Sequence, residues 1–93
     1  MYLKLIRSKS FLKDYEKKRL SDQHYIIVLG KLLNNEVLSD EYLEHELKGN
    51  WKNYRELHIS GDLLLIYKKT ESELTLIRIG TQSIYNNILK WIR

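Results

Sequence analysis

The sequence predicts a small α+β domain, and three observations carry that expectation. Apolar residues between positions 54 and 79 follow strand-like patterns in successive short runs. Those between 11 and 33, and again between 84 and 92, recur at helical spacing. Proline, repeats and low-complexity tracts are absent, so nothing divides the 93 residues. A chain of this length can bury one thin core, and the expectation is one domain spanning 1–93.

The elements follow in order. "YLKLIR", residues 2–7, alternates Leu3 and Leu5 with polar or mixed neighbours and reads as a strand. Ser8 or Ser10 then caps a helix with Phe11, Leu12 and Tyr15 on its apolar face. Ser21 or Asp22 caps a second helix, where Ile26, Leu29 and Leu33 recur beside Tyr25 and Leu32. Asn34-Asn35 is its expected stop, and 36–47 is expected to be loop with a short helical turn. "NYRELHI" reads as a strand with Tyr54, Glu56 and His58 on one face and Arg55, Leu57 and Ile59 on the other. Ser60-Gly61-Asp62 makes a tight turn. "LLLIYKK" is a near-continuous apolar run, as a central strand requires. "ELTLIRIG" returns after "KTES", with Leu74, Leu76 and Arg78 expected on one face. "SIYNNILKWIR" places Ile84, Ile88, Trp91 and Ile92 on one side of a C-terminal helix. Strand, two helices, an antiparallel meander and a last helix make an α+β sheet with helices packed on it.

Composition narrows the function classes. With 43% hydrophobic and 30% charged residues, disorder is not expected. There is no cysteine, which excludes disulfides, thiolate zinc sites and thiol nucleophiles, and suits a reducing cytoplasm. No signal peptide is visible and no apolar run is long enough to span a membrane. The formal charge is +4 and unevenly spread. Residues 1–20 hold seven Lys or Arg against Asp14 and Glu16, whereas 36–47 hold five carboxylates and no cation. A basic excess points to a polyanion or an acidic partner, against the plainer reading of a solvated mixed surface.

The stretch "HELKGNWKNYRELHIS", residues 45–60, gathers titratable and stacking side chains. Glu56 and His58 share a strand face, and a carboxylate beside an imidazole can act as general base and acid near neutral pH. His45 can fold back toward them across Gly49, and Asp62 follows at the hairpin tip. The alternative is a polar sheet surface with no function. His45, His58 and Asp62 match no compact metal-ligand spacing, so no metal or other cofactor is expected. Trp51 and Tyr54 have two readings: bases stacked on them beside Lys48, Lys52 and Arg55, or ordinary core. Arg78 needs an anionic partner, either Glu56 or a phosphate.

The run "HELKGNWKNYRELHISGDLLLIYK", followed by "LIRIGTQ", resembles the YafQ branch of the RelE/ParE toxin superfamily, small basic toxins of type II toxin–antitoxin modules. The matching residues are His45, Leu47, Gly49, Trp51, Tyr54, Arg55, Glu56, His58, Ile59, Asp62, Leu64, Leu65, Tyr67, Arg78, Gly80 and Thr81. The resemblance implies a RelE-like fold and a metal-independent, ribosome-dependent mRNA interferase. It places His45, Glu56, His58 and Asp62 at catalytic positions for proton transfer and orientation, and Arg78 where a transition-state cation is expected. It also implies a DinJ-like antitoxin whose acidic segment covers the active groove, with ribosome and mRNA as targets. Operator DNA would be bound through that antitoxin. The chain departs from the branch at Gln82, where the branch has histidine; glutamine can hydrogen-bond a leaving oxygen but does not supply an imidazolium proton. Tyr85 lies near the place of a family phenylalanine. The departure sets a second expectation beside the first, a non-catalytic or weakly catalytic toxin homologue that binds the ribosome or antitoxin. A gyrase-poisoning relative is disfavoured by the retained His/Glu cluster.

Overall fold

The chain is described as a computed structural model covering residues 2–18, 23–47, 49 and 53–81. Within these residues the order is β1 (Lys4–Arg7), α1 (Lys9–Lys18), α2 (Gln23–Leu33), a 3-10 turn (Asp40–Tyr42), β2 (His45–Glu46), β3 (Tyr54–Ser60), β4 (Leu63–Lys69) and β5 (Glu73–Gly80). The strands form one sheet in the order β1-β5-β4-β3-β2. The meander β3-β4-β5 is antiparallel as expected, while β1 joins β5 in parallel and makes the sheet mixed. The expected C-terminal helix and the cap at Ser21 or Asp22 lie outside the described residues.

The helices begin and end on recognisable chemistry. Ser8 caps α1: its Oγ accepts the Phe11 N–H at 2.9 Å and donates to the Ile77 carbonyl at 2.7 Å. At the end of α2, Asn35 takes a left-handed φ of 59°. Its N–H donates to the Leu32 carbonyl, and the Glu36 N–H donates to the Lys31 carbonyl. That pair closes the helix in a Schellman motif.

Most of the expected apolar residues face the core: Phe11, Tyr25 and Leu32 are buried and Tyr15, Leu29 and Leu33 pack against them, whereas Leu12 and Ile26 are exposed. In α1, Phe11 is buried but Leu12 is exposed, and the next inward residue is Asp14. In α2, Tyr25, Val28 and Leu32 are buried and Ile26 is 63% exposed. The set at 25, 28 and 32 keeps helical spacing equally well, and packing against Phe11 and Tyr15 selects it. These side chains meet Leu57, Ile59, Leu63, Leu65, Tyr67, Leu74, Leu76 and Ile79 from one face of the sheet. Central β4 is buried on both faces, which explains its unbroken apolar run.

Gly61 opens the two-residue β3–β4 turn with a φ of 54°, the left-handed region that glycine enters without Cβ strain. A bulge in β5 then changes the register. Leu76 opposes Tyr67, but Arg78 opposes Ile66, so Ile77 is the extra residue. The helix-facing set is therefore Leu74, Leu76 and Ile79. Arg78, expected with Leu74 and Leu76, is turned to the opposite face. The sequence does not mark this step, because a bulge costs strict alternation without changing composition.

Candidate active site

The face opposite the helices carries a cross-strand row. His45 of β2 opposes Glu56 of β3, Glu56 opposes Ile66 of β4, and Ile66 opposes Arg78 of β5. Directly opposed residues share a sheet face, so register alone puts His45, Glu56 and Arg78 on one side. His58 joins them two residues along β3. The two-residue strand β2 was not expected within 36–47, where only the helical turn was. It is set up by Leu43, whose left-handed φ of 50° ends the 3-10 turn and redirects the chain.

Glu56 is the centre of this group. It is 4% exposed. Its Oε1 lies 3.5 Å from His58 Nε2 and 3.9 Å from His45 Nε2. Its Oε2 is buried and finds no hydrogen-bond partner among the described residues. A carboxylate held out of water is costly unless its oxygens are matched by donors. The imidazoles differ in access: the His45 side chain is 51% exposed and that of His58 29%. His45 Nδ1 donates to the Leu43 carbonyl at 2.9 Å. In the neutral ring this leaves the Nε2 lone pair facing the Glu56 side.

The other expected residues fall differently. Asp62 is exposed in the β3–β4 turn, and among the described residues no ion pair ties it to His58. Arg78 does not pair with Glu56. Its Nε and Nη2 donate to the two oxygens of Asp14, at 2.6 and 3.0 Å. Arg55 lies 3.4 Å from Glu44 and 4.0 Å from Glu46, so its charge is already shared by two carboxylates. Tyr54 is half-buried with the Lys68 ammonium over its ring at 5.6 Å. Gln82, Lys48, Trp51, Lys52 and Tyr85 lie outside the described residues. No group of three or more His, Asp or Glu among the described residues is placed to hold a metal ion.

Two residues escaped the sequence reading. His24 of α2 lines a cavity of about 300 Å³ together with Glu41, Tyr42, His58 and Ser60. Nothing in the sequence marks it, because only the fold brings α2 to the end of β3. Asp14 left a trace: it is a carboxylate on the inward side of an amphipathic helix, three residues after the buried Phe11.

Comparison with known proteins places these observations in a family. Residues 3–85 match the family described as bacterial toxin of type II toxin–antitoxin system, YafQ. The chain is 43% identical over 72 residues to the putative toxin YafQ of Haemophilus influenzae, covering 71% of each chain. It is 40% identical over 68 residues to the mRNA interferase toxin YafQ of Escherichia coli K12, covering 71% of this chain and 74% of the relative. Among solved structures, a copper-bound variant toxin from Helicobacter pylori superposes with a TM-score of 0.83 at 39% identity, covering 88% of this chain and 97% of that one. YafQ in the E. coli DinJ–YafQ toxin–antitoxin complex superposes with a TM-score of 0.79 at 31% identity, covering 90% and 97%.

Proposed function

The chain belongs to the YafQ family of type II toxin–antitoxin toxins, and from that premise we propose that it is an mRNA interferase that cuts mRNA on the ribosome by general acid–base chemistry, without a metal. The observation that carries this reading is the placement of the His45 and His58 Nε2 atoms around one buried carboxylate. RNA cleavage needs a base to take the ribose 2′-hydroxyl proton, a cation for the phosphorane, and a donor for the 5′-oxygen as its bond to phosphorus breaks. His45 is the base, because its Nδ1–H is spent on Leu43 and its Nε2 is left to accept. Glu56 orients His58, which serves as donor to the leaving oxygen. Gln82 assists by hydrogen bonding. Arg78 faces the same side of the sheet and stabilises the phosphorane. Asp62 is assigned to nucleotide contact at the rim of the site. Lys48, Lys52, Trp51, Tyr54, Arg55 and Tyr85 are assigned to the RNA track.

The proposed partner is a DinJ-like antitoxin, supported by the likeness to YafQ in the DinJ–YafQ complex. Its acidic segment covers the groove, and the complex reaches operator DNA through the antitoxin. Free toxin acts on ribosomes in the cytoplasm. No helix among the described residues is long and apolar enough to cross a membrane.

Primer extension on mRNA after induced expression tests the reading. New 5′ ends within translated messages are expected, and Glu56→Ala or His58→Ala should abolish both the ends and growth arrest in a folded protein. Full toxicity in both variants would remove the assigned site. Gln82 favours a second reading, a toxin that arrests ribosomes without cutting. That reading expects arrest without new ends, and Gln82→His should then raise cleavage sharply.

A further inference from the structure

Two carboxylates are buried among the described residues, Asp14 and Glu56. The proposed reaction uses Glu56 and leaves Asp14 unexplained. We propose that Asp14 is the positioning residue for Arg78, holding one edge of the guanidinium so that its other edge meets a phosphate of bound RNA. The inference rests on the reading of the chain as an RNA-cleaving toxin.

Asp14 is 7% exposed, and a carboxylate so placed needs partners for both oxygens. It has them. Oδ2 accepts from Arg78 Nε at 2.6 Å and from the Ile79 N–H at 3.1 Å, and Oδ1 accepts from Arg78 Nη2 at 3.0 Å. The backbone contact has a topological cause. β1 stops at Arg7, which opposes Leu76, so β5 continues past the end of its neighbour. Side chains of the α1 region take over that edge: Ser8 Oγ donates to the Ile77 carbonyl and Asp14 accepts from the Ile79 N–H. Arg78 sits between these two anchors, at the bulge.

The guanidinium is therefore fixed at both ends. Its backbone is pinned by the bulge and by α1, and its Nε/Nη2 edge is pinned by a buried carboxylate. The edge carrying Nη1 is not used by Asp14, and a guanidinium edge of that kind matches phosphate in bidentate fashion. The side chain is 30% exposed, so a ligand can reach it. It borders a cavity of about 650 Å³ lined by Ser10, Lys13, Asp14, Glu16 and Lys17. Lys13 and Lys17 bring two further cations to the same space. Across the sheet, the Arg78 backbone lies two strands, about 10 Å, from that of Glu56 in one row. RNA held by its phosphates at the Arg78 edge thus runs across the sheet toward the row that holds the histidines.

A carboxylate that only tied α1 to β5 would not need to fix the arginine, and the two roles separate experimentally. Asp14→Asn keeps an acceptor for the Ile79 N–H but weakens the grip on Arg78. The full chain on translating ribosomes, in single-turnover cleavage, is expected to lose about 10–100-fold in maximal rate in Asp14→Asn, with the half-saturating ribosome concentration unchanged. Asp14→Glu should recover part of the rate. Asp14→Asn combined with Arg78→Ala should cut no more slowly than Arg78→Ala alone. A native rate in Asp14→Asn, or losses that multiply in the double variant, would overturn the inference. A second measurement is independent of cleavage: the Arg78 Nε–H resonance, followed by NMR as a 2′-O-methyl RNA oligonucleotide is added. A wild-type response that is lost in Asp14→Asn supports the inference, and identical responses overturn it, even where wild-type toxin makes no new mRNA ends and the nuclease reading itself fails.

Discussion

Glu56 and Asp14 have nearly the same burial and opposite accounts. Asp14 has its oxygens matched by an arginine and a backbone N–H. Glu56 has one oxygen near two imidazoles and another, Oε2, that meets no donor among the described residues. The first arrangement offsets the loss of hydration and the second leaves part of it standing. Stability and activity should therefore separate at Glu56. Glu56→Gln removes the desolvated charge while keeping shape and volume. It is expected to stabilise the fold by about 1 kcal/mol, which for a domain of this size raises Tm by about 4–8 °C. In the proposed reaction the same change removes the group that orients His58, so cleavage should fall by about 10²-fold. Thermal unfolding and a cleavage assay on the same preparation decide the matter. A variant that lost stability and activity together would make Glu56 an ordinary core group.

Among the elements, the helix layer is held by aromatic contact. Phe11 and Tyr15 of α1 meet Tyr25 of α2, with ring centroids 5.5–6.4 Å apart. Burial raises the Tyr25 pKa above its ordinary value of 10.0; Tyr15 adds to the shift and Arg7 opposes it. The native state thus holds this proton more tightly than the unfolded chain does. The resulting stabilisation is fully present below pH ~10 and is lost as pH rises through the folded pKa. Tyr25→Phe should flatten that alkaline loss, as measured by urea midpoints between pH ~8 and ~11. An unchanged slope would mean that other groups carry the alkaline transition. Strand runs were legible in the sequence because β3, β4 and β5 each keep a clear apolar pattern, and Ser8, Asn35 and Gly61 carry turn chemistry that any reader can find. Helix faces were legible in their centre but not at their margins: Phe11, Tyr25, Leu29, Leu32 and Leu33 face the core, while Leu12 and Ile26 are exposed and Val28 is buried. Strand β2 was not legible, because two residues have no period. Nor was the bulge at Ile77, which decides where Arg78 points. Of the candidate cluster, Glu56 and His58 followed from alternation. His45 followed from the resemblance together with a plausible fold-back, and Asp14 needed the third dimension.

At the scale of the whole molecule, charge is segregated. Lys9, Lys13 and Lys17 recur at one-turn spacing along exposed α1, beside the cavity at Arg78. Asp40, Glu41, Glu44 and Glu46 cluster where the 3-10 turn and β2 meet the other edge of the sheet. On the proposed reading as an RNA-cleaving toxin, an RNA strand is attracted to the first edge and repelled by the second, so the field itself orients the complex. Binding that neutralises phosphates releases counterions, and for single strands log K falls with log salt at about 0.7 per neutralised charge. Replacing the three helix lysines with glutamine should therefore flatten the salt dependence of uncleavable RNA binding by about 2 units of slope. Replacing Asp40, Glu41 and Glu44 with their amides should leave the slope in place, because those groups release no phosphate counterions. Equilibrium binding of a 2′-O-methyl oligonucleotide across a potassium chloride series distinguishes the two edges. Equal slopes in wild type and the lysine variant would move the RNA track off α1, and with it the second and third cations of the Arg78 cavity.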